Sequence, residues 1–96
     1  MAQGAVKALD AAGISHGVDG DVLVIGYDCN KWALEALLAG EWNYDGQCNP
    51  FQSSYIDAII KDLEAGKAPA EKTVIMDEKG FDASTITQDD VNNYGI

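Results

Sequence analysis

The stretch Gly20-Asp21-Val22-Leu23-Val24-Ile25-Gly26-Tyr27-Asp28-Cys29-Asn30 decides the fold. Val22 to Ile25 is an apolar run too short for a helix, three of its four residues are β-branched, and it is bounded by Asp and Gly. It therefore reads as a strand buried on both faces. Burial on two faces is the habit of parallel sheets covered by helices. A helical pattern starts directly after Asn30, which puts Asp28 at the carboxyl end of a central strand, where open α/β sheets bind ligands. Asp28 is the first candidate site residue, and capping or turn duty is the competing role for its side chain.

Upstream, Ala2, Ala5, Val6, Leu9 and Ala12 form one stripe at helical spacing, and Gly13 stands where a left-handed stop is wanted. This helix starts without a Ser, Thr, Asp or Asn for its first N–H groups, as a cut through an existing helix or a frayed start does. Downstream, Asn30 is placed to cap a second helix over 31–39, with Ala33, Leu34, Leu37 and Leu38 facing the core and Gly40 closing it. Residues 41–47 alternate Trp42, Tyr44 and Gly46 against Asn43, Asp45 and Gln47, a half-buried strand. Asn49 as cap and Pro50 at the first position open a third helix, whose stripe is Phe51, Tyr55, Ile56, Ile59, Ile60 and Leu63, ending at Gly66. Thr73 to Met76 reads as a third strand. Thr87-Gln88-Asp89-Asp90 resembles a capping box with Asp in place of Glu, stapled by Ile86 and Val91, which predicts a short helix to about Tyr94. The order predicts an α/β fold, a Rossmann-like parallel sheet, although three strands make it meagre.

Ninety-six residues allow one small domain at most. A net charge of −10 with only six Lys and Arg argues against nucleic acid as a partner. No apolar run approaches the length of a membrane span, and Met1 to Gly4 lacks the basic and apolar segments of a signal peptide. Cys29 and Cys48 lack zinc-site spacing; a disulfide between them and two buried free thiols are both open. Gln47 and Asn49 end the second strand as neutral donor–acceptor groups suited to hydroxyl ligands, with cap and turn roles as alternatives. Trp32 and Trp42 can stack on a sugar face or fill the core. Asp77, Glu78 and Asp82 lack the alternation of a calcium loop and read as a solvated turn. One histidine and no phosphate-binding glycine motif leave nothing that supports catalysis, and no cofactor is called for.

Residues 1–9, Ala12-Gly13, Asp21 to Asp28, Ala33 to Leu37, Gly40-Glu41, Gln47-Cys48-Asn49-Pro50 and Glu64 to Pro69, taken in order and spacing, resemble the final third of type I periplasmic sugar-binding proteins of ABC transporters. The Cys-Asn-Pro segment is most similar to the galactofuranose-type branch. The resemblance implies a two-lobed α/β protein closing on a monosaccharide, of which this chain is an incomplete, C-terminal part. It implies that Asp28 accepts sugar hydroxyls, and that a polar contact position falls on Cys48, with Gln47 or Asn49 as substitutes. It further implies that 1–49 belong to the second lobe, 50–78 to the first, and 79–96 to a hinge segment and short helix. An Asn-Asp pair precedes the Met1-Ala2 position in the family, and the uncapped first helix follows from its absence. The expected partners are a monosaccharide and, for the intact protein, an ABC transporter permease; the intact parent is expected to be periplasmic, or extracellular and lipid-anchored. Apolar stripes cut off from their partners predict self-association, including exchange of the third helix or strand. The alternatives are the effector-binding core of a LacI-type regulator and a small flavodoxin-like domain.

Overall fold

Strand β1 (Ile25–Tyr27) forms one edge of a three-stranded sheet in the computed structural model, which describes residues 1–96. The order is β1, β2 (Tyr44–Gly46), β3 (Gly80–Asp82). β1 and β2 run parallel, with Gly26 opposite Asp45, whereas β3 runs antiparallel to β2, with Phe81 opposite Asp45. The helices are α1 (Ala2–Ala11), α2 (Lys31–Leu38), α3 (Ser53–Glu64) and α4 (Gln88–Tyr94).

The fold is α/β as expected, but three readings of the strands are corrected. The first strand starts at Ile25 and not Val22, because Val22 pairs only in an isolated bridge with His16. It is not buried on two faces: Val24 and Gly26 point into the core, while Leu23, Ile25 and Tyr27 are exposed. A sheet covered on one side only produces that alternation. Thr73 to Met76 forms no strand, and the third strand starts only at Gly80 and runs antiparallel, making the sheet mixed.

The core is one cluster: Val24, Cys29, Ala33, Leu34, Leu37, Trp42, Phe81, Ile86 and Val91. α2 supplies Ala33, Leu34 and Leu37, the i, i+1, i+4 stripe that faces β2 and α4. Leu38, read as a core residue, is exposed. α1 packs Ala2, Val6 and Leu9 against the edge of the cluster without burying any of them fully. At α4 the capping box forms as read: the Asp90 amide donates to Thr87 Oγ1 and the Thr87 amide donates to Asp90 Oδ2. Ile86 and Val91 are both buried beside it.

Glycines decide how the sheet is surfaced. A Cβ on Gly26 would collide with the Trp42 indole on the core side. On the open side, a Cβ on Gly46 would press on the Tyr27 ring and one on Gly80 would strike the Tyr44 hydroxyl, so each tyrosine lies across a bare backbone on the next strand. Tyr44 therefore faces outward and Asp45 inward. The period-2 reading from Trp42 fails because pairing starts only at Tyr44, leaving Trp42 in the preceding loop.

α3 stands apart. None of its residues is fully buried, and the molecule measures 61 × 25 × 16 Å. The helix starts at Ser53, later than the Pro50 expected, because the Asn49 side chain accepts from the Phe51 amide in a local turn. Tyr55, Ile56, Ile60 and Leu63 of its apolar stripe are exposed, as expected of a stripe cut off from its partners. No helix of the chain is long and apolar enough to cross a membrane.

Because Trp42 fills the space under Gly26, a Gly26→Ala substitution overpacks the core and should cost about 1–3 kcal/mol by chemical denaturation. An unchanged midpoint would mean that the indole is not held against this strand.

Candidate functional site

The link between β1 and α2 is made by two non-glycine residues in the left-handed region, Asp28 with φ +91° and Cys29 with φ +52°. Each such residue costs on the order of 1–3 kcal/mol, so the turn needs external support. The Asp28 amide donates to the Gly46 carbonyl at 2.9 Å, the Cys29 amide donates to Asp45 Oδ1 at 3.3 Å, and the Ile96 amide donates to the Cys29 carbonyl at 3.1 Å. Lys31, the first residue of α2, donates its amide to the Ile96 carbonyl. Asn30 occupies the cap position as read, but its side chain makes no capping bond.

The turn leaves the Asp28 carboxylate exposed, engaged in neither ion pair of the chain and in none of its side-chain hydrogen bonds. It lies on the wall of a concavity of about 360 Å³ that also takes in Tyr27, Asn30, Trp32, Trp42 and the start of α1. Trp42 is 3% exposed and belongs to the core; Trp32 is 43% exposed, set edge-on to it with ring centroids 5.8 Å apart and planes at 85°.

The other three residues read from the sequence go elsewhere. Gln47 lashes two chain segments together: its amide donates to the Lys79 carbonyl at 2.8 Å, and its Oε1 accepts from the Lys79 amide at 3.1 Å. The Asn49 amide donates to Glu78 Oε1 at 2.6 Å while its side chain makes the turn to Phe51. Gln47 and Asn49 line a second concavity, of about 430 Å³, with Phe51, Asn93 and Tyr94. Cys48 is exposed and lines neither. Nor is it bonded to Cys29: both thiols are free, and Cys29 is buried beneath the turn, which settles the disulfide question and corrects the reading of two buried thiols.

Asp45 was legible only as a solvent-facing strand residue, yet it is fully buried. Its Oδ1 receives the Cys29 amide and, at 3.8 Å, the Cys29 thiol, whereas Oδ2 has no partner. Burial raises its carboxyl above the ordinary 3.8, opposed by the bond from the Cys29 amide. Burial, then the charge of Asp45, pushes the Cys29 thiol up to about 12, so the thiol is a weak donor and not a nucleophile. No group of three or more His, Cys, Asp or Glu side chains gathers to hold a metal ion.

No family model matches the chain. Over 93 residues, 97% of its length, it is 36% identical to the fructose import binding protein of Bifidobacterium longum, of which it spans 27%. A crystal structure from Mycobacterium smegmatis matches 86% of the chain with a TM-score of 0.72 at 29% identity, and another from that organism, in complex with β-D-fucofuranose, matches 84% with 0.70 at 30%. These cover 27% and 26% of the respective solved chains. A galactofuranose binding protein matches 95% of the chain, and 30% of its own, with a TM-score of 0.77. The chain has the fold of part of a type I sugar-binding protein. It spans about a quarter of the length of the curated relative it matches, so what is present of the sugar-binding fold is a partial lobe. Two of these relatives are named as sugar-binding proteins and a third was solved with a bound sugar, which does not favour the regulator or flavodoxin-like alternatives.

Asp45 supplies a pH prediction. A carboxyl whose pKa is raised on folding penalises the folded state where it is ionised: the penalty is absent below pH 3.8 and complete above the raised folded value. Asp45→Asn keeps the acceptor for Cys29 and removes that charge. The variant should therefore gain stability over the parent as pH rises from 3.8 towards neutrality in urea melts; a gain that shrinks along that path would contradict the assignment.

Proposed function

We propose that the chain provides one wall of a monosaccharide site, and that the protein of which this fold is part acts as the solute-binding component of an ABC sugar importer. The observation that carries the reading is the Asp28 carboxylate: exposed, free of intramolecular partners, and presented by a supported turn at the end of β1 beside aromatic side chains. A carboxylate offers several acceptor sites to adjacent hydroxyls, and rings offer an apolar face to ring C–H groups. The similarity to a fructose import binding protein and to a fucofuranose-bound structure supports a sugar as the ligand. On this reading the working protein is periplasmic or extracellular and meets a transporter permease.

The layout around Gln47 supports the division of residues expected from the resemblance. Two segments, 47–49 and 78–79, run side by side where α3 leaves the sheet and the chain returns to it, joined by the Gln47–Lys79 pair and the bond from the Asn49 amide to Glu78. In this reading they are the crossings of a hinge, 1–49 and 79–96 lie on one side, and 50–78 serve the other lobe. Gln47 and Asn49 then act at the hinge, and Asp28 is the ligand contact.

Two measurements test these statements. Hydrogen bonds to a charged acceptor contribute about 1.5–3 kcal/mol each, so Asp28→Ala should weaken monosaccharide binding on the order of 10- to 100-fold by titration calorimetry. An unchanged isotherm would remove Asp28 from the site. The α3 face leaves Tyr55, Ile56, Ile60 and Leu63 in solvent, 39–55% exposed, and the purified chain should associate through it. Light scattering should give at least twice the 10.2 kDa chain mass; a monomer at all concentrations would contradict it.

A further inference from the structure

Three contacts hold the Asp28–Cys29 turn in its left-handed conformation, and they differ in kind. Two are made by backbone groups, the Gly46 carbonyl that accepts from the Asp28 amide and the Ile96 amide that donates to the Cys29 carbonyl. The third is a side chain: Asp45 Oδ1 accepts from the Cys29 amide at 3.3 Å and from the Cys29 thiol at 3.8 Å, on the core side of the sheet. Only this third contact depends on which residue is present. Asp45 is also a costly occupant of its position. It is fully buried and its Oδ2 has no partner, whereas an apolar residue would fill the same place without leaving a bare oxygen in the core. Gly26, its register partner on β1, leaves it room, since a Cβ there would stand 3.1 Å from Oδ2. What the buried carboxyl gains in return is the N–H and S–H of Cys29, one residue beyond Asp28.

Resting on the monosaccharide reading above, we propose that Asp45 is a positioning residue for the ligand: by holding Cys29 it fixes the direction in which Asp28 presents its carboxylate, without touching the ligand itself. Asp45 lines neither concavity, so it acts only through the turn. Two consecutive non-glycine residues in the left-handed region are strained, and a turn that loses one of its supports relaxes towards ordinary backbone angles. The Asp28 side chain has no intramolecular partner to keep it in place, so its carboxylate follows the backbone when that happens. A binding group must stay within roughly 0.5 Å of its productive position to keep its hydrogen bonds, a tolerance that a changed φ at Asp28 or Cys29 exceeds. The acceptor that matters is Oδ1 alone, which an amide side chain supplies as well as a carboxylate does.

The test separates affinity from stability. The 96-residue chain and its variants are titrated with D-fructose and D-galactose by calorimetry, and the urea midpoint of each is measured alongside. Asp45→Asn keeps an acceptor for Cys29 and should retain the parent's affinity within about twofold, although the loss of charge alters its stability. Asp45→Val suits a strand and fills the position without an acceptor, and it should weaken both sugars about 3- to 10-fold, the contribution of one hydrogen bond. In the Asp28→Ala background the same Asp45→Val change should cost no further affinity, because the residue through which it acts is gone. A strong NMR contact between the amide and Hα protons of Asp28 marks its left-handed backbone; it should persist in Asp45→Asn and weaken in Asp45→Val. Asp45→Ala carries the test if Asp45→Val fails to fold. An Asp45→Val variant that binds like the parent while Asp28→Ala does not, or whose loss adds in full to that of Asp28→Ala, overturns the positioning role and leaves the monosaccharide reading standing. Failure of the parent chain to bind either sugar at millimolar concentrations overturns both.

Discussion

The contact on which most else depends is that of the Trp42 indole with the bare backbone of Gly26. It lets a side chain from the loop before β2 slide under β1, and so closes the core on the one covered face of the sheet. Every other requirement follows from that seat. Asp45 enters the same interior from the neighbouring strand, opposite Gly26, and its carboxyl then reaches the Cys29 amide from below. A larger residue at position 26 would displace both the indole that fills the core and the carboxyl that supports the turn.

Much of this was visible in the residues because local chemistry and tertiary context agree there. Helix α2 runs from Lys31 as its stripe predicts, α4 opens on the Thr87 box, and Gly13, Gly40 and Gly66 all take the left-handed conformation that ends helices. Asp28 was legible because a polar residue at a strand end has few places to go. What was not legible depends on what lies across the sheet. Leu23, Ile25 and Tyr27 are as apolar as residues buried on two sides, so nothing in them marks one face as open. The stripe of α3 meets every rule for a core helix, so periodicity alone did not mark it as exposed, and that expectation came from the resemblance to part of a two-lobed protein. Asp45 ran against pattern reading altogether, since an acid in a strand reads as solvent-facing until its neighbours are known. Gln47 and Asn49 were legible as neutral donor–acceptor groups, but backbone groups 32 and 2 residues away claimed the oxygens.

These misses share a physical origin. The sheet is short, three residues per strand, and one side of it carries tyrosine rings lying over glycines where a second layer of helices would stand in a doubly covered sheet. The acidic surface opposes association by mutual repulsion, while the apolar residues on β1 and α3 favour it. The balance between the two varies with ionic strength, because screening weakens the first and leaves the second in place.

Beside the packing of Ala2, Val6 and Leu9 on the core edge, one imidazole ties α1 to the rest. His16 Nδ1 pairs with the Glu41 carbonyl at 2.9 Å and Nε2 with Asp10 Oδ1 at 2.8 Å, so a single ring joins the end of α1 to the turn beyond α2, and these two contacts, the carbonyl first, raise its pKa above 6.5. Since the chain has no other histidine, the ring protons of this residue form an isolated spectroscopic pair. Their chemical shift against acidity registers, without any label, whether the first helix is seated or has come away.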